Sequence, residues 1–135
     1  MEIEFDCVPP ALPGIDILLV HSQKKAKRII GKMAGEKAVK DWSRLRARDA
    51  TTSSLQHNVT GEVVYLIWMR PCVEWSAETD VAILSHEATH VALDYLREIG
   101  EDEPSEELLA YTVQAVTEYL VGKHFKWKKK RLADS

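Results

Sequence analysis

The chain has 135 residues, 45% hydrophobic and 29% charged, with a formal net charge of −3. This is ordinary globular usage, which excludes wholesale disorder, and the length allows one compact domain over 1–135. The longest apolar runs, Ile15–Val20 and Val63–Met69, are far too short to span a membrane, and the acidic opening MEIEFDCVPP lacks the pattern of a secretory signal.

Ile3–Val8 reads as a short strand halted by Pro9 and Pro10, which cannot donate to a ladder. A second strand follows over Ile15–Val20. In Ser22–Met33, Ala26, Ile29, Ile30 and Met33 recur at helical spacing, with lysines on the other side. Gly35–Arg48 suggests a further helical turn or two around Val39, Trp42 and Leu45. Leu55–Thr60 and Glu62–Met69 read as strands joined near Thr60-Gly61, the second apolar enough to be buried on both faces. Ser76 is a candidate N-cap for a long helix running to about Glu98 and stopping at Gly100. Pro104 suits the first turn of a last helix that continues to about Val121. The expected class is α+β, a small, mostly antiparallel sheet with the last two helices packed on it.

Chemistry concentrates in Ser85-His86-Glu87-Ala88-Thr89-His90, an H-E-x-x-H on the long helix. Residues i and i+4 lie one above the other on a helix, so two imidazoles there can share one tetrahedral cation. Glu87, about a quarter-turn round from His86, is placed to act as a general base. On the opposite side of the wheel lie Val81, Leu84, Ala88, Val91, Ala92, Tyr95 and Ile99, which would anchor the helix in a core. The competing reading is a pair of satisfied core histidines. The uncharged neighbours Leu84, Ala88, Thr89, Val91 and Ala92 favour a metal helix.

Two histidines leave a tetrahedral cation short of a protein ligand. The remaining histidines, His21, His57 and His124, are distant in sequence. A carboxylate from Glu103-Pro104-Ser105-Glu106-Glu107 could reach the metal if the last two helices form an antiparallel pair. Acidic residues in a first turn also favour the helix dipole and need no metal. Glu107, Tyr111, Gln114 and Glu118 form a polar stripe opposite the apolar Leu109, Val113, Val116 and Leu120.

Ile83–Ala92 resembles the extended signature of zincin metallopeptidases, and a downstream helical glutamate is similar to the gluzincin branch. HEATH followed by a short acidic link and Glu107-Leu108-Leu109-Ala110-Tyr111 resembles small phage-encoded zinc-peptidase proteins, over about Trp75–Val121. The resemblance implies a minimal zincin-like fold and a phage or prophage origin. It also implies one Zn²⁺ per chain on His86, His90 and Glu107 (Glu106 being the alternative), an open fourth position, and a peptide or protein substrate. Glu87 would be the catalytic base, and Tyr111 a candidate donor to the oxyanion. Asp94 could orient a ligand histidine. In zincins the strand before the active helix commonly binds extended peptide along its edge, a role that falls here to Val63–Met69.

Charge is unevenly spread. Lys24–Arg48 holds ten basic residues against Glu36 and Asp41, and Lys123–Arg131 opens a second basic run extending towards 135. Each is either a solvated helix face or a surface for nucleic acid or an acidic partner. For the second run, a frayed helix end complementing the dipole is favoured. Cys7 and Cys72 read as reduced thiols of a protein in the cytoplasm, the host's if phage encoded, with no membrane partner.

Overall fold

A computed structural model describes residues 6–7, 15–57 and 59–134. The class is α+β, and the described chain divides after Pro71 into two compact units.

The first unit holds β1 (Asp6–Cys7), β2 (Asp16–Val20), α1 (Gln23–Ala34), α2 (Glu36–Leu45), β3 (Ala50–Gln56) and β4 (Val63–Met69). They form one sheet in the order β1-β2-β4-β3. The β1–β2 and β3–β4 pairings are antiparallel, whereas β2 and β4 run parallel, Asp16 opposite Val64 and Val20 opposite Trp68. A parallel neighbour needs a long crossover, and α1, α2 and β3 supply it. The expected sheet is therefore mixed at its centre and antiparallel at both sides.

Alternation on β4 explains the core. Val64, Leu66 and Trp68 share a face with Leu18, Val20 and Leu55, and there they cluster with Ala26, Ile29, Ile30 and Met33 of α1. Tyr65, Ile67 and Met69, on the other face, are buried too. The Ser22 hydroxyl caps α1 by accepting from Lys25 N–H at 3.1 Å. Gly35, at φ 91°, is the single residue between α1 and α2 and lets the second helix follow directly. So the region over Gly35–Arg48 is a ten-residue helix, fuller than its sequence pattern suggests.

β3 starts at Ala50 rather than Leu55. Its Thr51, Thr52, Ser53 and Ser54 carry no apolar pattern, yet they pair in register with Trp68 to Tyr65. Of the first expected strand, only Asp6–Cys7 is described as β1, and the rest lies outside the described residues. In the β3–β4 turn, His57 Nδ1 accepts from Val59 and Thr60 N–H at 3.2 Å, and Gly61 takes φ 76°.

The second unit is a helical hairpin of α3 (Ala77–Glu98) and α4 (Glu106–Ala133). Ser76 caps α3 through Thr79 N–H, and Gly100, at φ 88°, follows its end. Ser105 caps α4 through Leu108 N–H, so Pro104 stands just before the cap instead of inside the first turn. The largest departure is the length of α4, which continues past Val121 for three more turns. Val116, Leu120, His124 and Lys128, each four residues apart, are all buried, so the basic run is an ordered helix and not a frayed end.

A buried polar cluster explains that extension. The Lys128 ammonium donates to Asp80 Oδ2 and to the Trp75 carbonyl, both at 2.6 Å. His124 Nε2 lies 3.2 Å from Asp80 Oδ2. Burial pushes His124 below its ordinary pKa, against the opposing pull of the Asp80 hydrogen bond and charge.

Candidate metal centre

The centre is built by one helix. Leu84, Ala88, Val91, Ala92 and Tyr95 are buried as the wheel requires, while Val81 and Ile99, near the two ends of α3, are exposed. His86 and His90 are exposed, so α3 presents its histidine side to solvent. Glu87 is buried at the edge of that side.

The two imidazoles converge. His86 Nε2 and His90 Nε2 are 3.2 Å apart, with ring centroids 4.9 Å apart and planes at 77°. Zinc–nitrogen bonds of 2.0–2.1 Å in a tetrahedron set two ligand nitrogens about 3.3 Å apart, so this spacing matches that of two nitrogens on one cation. A single N–H shared between the rings satisfies the same distance when no cation is bound. Glu87 Oε2 is 3.9 Å from His86 Nε2, and one ligand atom from each of the three residues falls within 4.8 Å of the others. The neighbouring hydroxyls are committed elsewhere: Ser85 donates to Val81 O and Thr89 to Ser85 O, both at 2.8 Å.

Glu106 and Glu107 occupy the exposed first turn of α4 and are not members of this group. Hairpin register accounts for the distance. Asp80 meets His124 and Lys128, so α3 and α4 run antiparallel, and at 1.5 Å per residue His90 comes level with about residue 115. Glu107 then stands roughly 12 Å further along the axis. Tyr111 is 64% exposed in the same outer stretch, and Asp94 is half-buried one turn beyond His90.

Other expected roles resolve differently. β4 is paired on both edges, by β2 and by β3, so no peptide can add along Val63–Met69. His57 belongs to a turn and His124 to the Asp80 cluster. Cys72 Sγ lies 3.5 Å from Glu74 Oε2, outside the histidine group. No sequence spacing joins Asp80 to His124 and Lys128. The signal for the last two is the four-residue spacing Val116, Leu120, His124, Lys128, which continues a core stripe through two polar residues.

Among the described residues, no helix is long and apolar enough to cross a membrane. No protein-family model matches the chain, and neither the curated proteins nor the solved structures contain a significant match.

Proposed function

We propose that the protein is a zinc-dependent metallopeptidase of minimal zincin-like form, phage or prophage encoded, acting on peptide bonds. The observation that carries this reading is the 3.2 Å approach of His86 Nε2 and His90 Nε2 with the Glu87 carboxylate beside them. His86 and His90 would hold the cation. Glu107 is the third ligand that the resemblance implies, and engaging it requires the start of α4 to approach His90. A bound zinc ion supplies Lewis acidity, polarising a carbonyl and acidifying water.

The chain's own residues do the rest. Glu87 is buried and fixed on the same turn as His86, so its carboxylate is oriented before substrate arrives. It takes a proton from the attacking water and returns it to the leaving amine, a carboxylate's role in general acid–base catalysis. Tyr111 would donate to the developing oxyanion.

The test is elemental analysis of protein purified without added metal, beside His86→Ala, together with a peptidase assay of Glu87→Gln. About one zinc per chain in the parent, none in His86→Ala, and retained zinc with lost hydrolysis in Glu87→Gln supports the reading. Zinc-free parent protein that cannot be loaded overturns it.

The distance of Glu107 from the histidines favours a second reading, a non-catalytic zincin-scaffold protein. Its exposed lysines on α1 and α2, such as Lys24, Lys25, Lys37 and Lys40, or those near the end of α4, would contact nucleic acid or a host protein. Glu87→Gln would then be silent, and neutralising Lys126, Lys129, Lys130 and Arg131 would weaken binding in a salt-dependent way.

A further inference from the structure

We propose that a second copy of this chain docks on the outer face of α4, with the two helices antiparallel about a twofold axis at Gly122. The surface is an open groove of about 460 Å³ lined by Ala115, Glu118, Tyr119, Gly122, Lys123 and Lys126. It lies on the side of α4 opposite the buried stripe of Val116, Leu120 and His124.

Gly122 is the first argument. Glycine inside a helix costs about 1 kcal/mol relative to alanine, and a Cβ built there meets nothing within 4 Å. Packing among the described residues therefore gives no reason for glycine in the middle of a 28-residue helix. Close approach of another backbone gives one.

Charge selects the partner. An isologous twofold pairs positions equally spaced on either side of its axis. Glu118 and Lys126 stand four residues before and four after Gly122, so each copy would place its Glu118 against the other's Lys126, twice per dimer. Both are exposed, and neither has an ion-pair partner among the described residues. The same operation sets Tyr119 across from Phe125 and Ala115 across from Lys129. A parallel arrangement would instead bring Lys126, Lys129, Lys130 and Arg131 of the two copies together, which like charge opposes. Antiparallel helices also oppose their macrodipoles.

Sedimentation equilibrium across a concentration series tests this on the whole chain, with circular dichroism confirming unchanged helicity in each variant. The parent should dimerise reversibly. Glu118→Lys and Lys126→Glu should each weaken dimerisation at least about tenfold, and the double exchange should recover the parent affinity to within about threefold. Gly122→Leu, which keeps a good helix former, should also weaken it. A parent that stays monomeric at every concentration overturns the proposal. So do single charge reversals without effect, or a double exchange no better than either single.

Discussion

Asp80 and Lys128, 48 residues apart, meet at 2.6 Å with both charged groups withdrawn from water. Asp80 lies near the start of α3 and Lys128 near the end of α4, so their pairing fixes the open end of the hairpin. A buried ion pair adds little over a hydrophobic pair, but breaking one strands a charge, at a cost of about 3–5 kcal/mol. Asp80→Ala and Lys128→Ala should each lower unfolding stability by that order in a urea titration. Asp80→Leu combined with Lys128→Met should cost much less than the two single losses added. Additive losses would mean the two side chains do not act as a pair.

The same cluster predicts an acid-side weakness. His124 is neutral when buried, and its folded-state pKa lies below the unfolded value of about 6.5. The unfolded chain therefore takes up the proton first as pH falls. Stability from this residue is complete above about 6.5 and is lost as pH drops through the folded-state value. Urea midpoints measured against pH should fall in that window, and His124→Phe should flatten this part of the profile. An unchanged slope in the variant would assign the acid sensitivity to other groups.

Where the sequence was legible, a single periodicity governed a whole element. Ala26, Ile29, Ile30 and Met33 mark α1 because every buried side chain is apolar, and Ser76 with Gly100 bracket α3 because capping is local. Most of β3 was hidden, with only Leu55 and Gln56 inside the expected strand, because Thr51 to Ser54 are polar residues whose strand character comes from pairing with β4. The last turns of α4 were hidden for a related reason. Lys128 reads as solvent-facing, and its distant partners, Asp80 and the Trp75 carbonyl, make it part of the interior. At the candidate metal centre, spacing along one helix placed His86, Glu87 and His90 together. A ligand from another helix depends on hairpin register, which sequence spacing does not fix.

Zinc should raise the thermal midpoint, since a ligand bound only by the folded state adds about 2.7 kcal/mol at a hundredfold excess over Kd. His86→Ala and His90→Ala should each abolish the shift, whereas Glu87→Gln should keep most of it. Comparing Glu107→Ala with Glu106→Ala identifies a third ligand. The true ligand should weaken zinc binding about tenfold or more, and the other should leave it nearly unchanged. Equal, negligible effects would restrict the protein's contribution to the two imidazoles and exclude both glutamates.

The indoles of Trp42 and Trp68 meet edge to face, 6.0 Å between centroids, with the Arg46 guanidinium 4.7 Å from the Trp68 ring. Among the described residues, Trp42 Nε1, Trp68 Nε1 and Arg46 Nε are buried without a hydrogen-bond acceptor, and the Arg46 guanidinium lies within cation–π range of both indoles. Arg46→Ala should then cost about 1–2 kcal/mol, and Arg46→Lys should restore little, because a point charge neither stacks nor spreads over the ring. Trp42→Phe deletes a buried donor with no oxygen acceptor while keeping most of the ring, so its cost should stay below about 1.5 kcal/mol. Trp42→Ala, which empties the same space, should cost about 3–5 kcal/mol. Thermal unfolding with near-ultraviolet circular dichroism reads both the stability and the coupling of the two indoles. Should Arg46→Lys match the parent, the guanidinium plane contributes nothing beyond its charge.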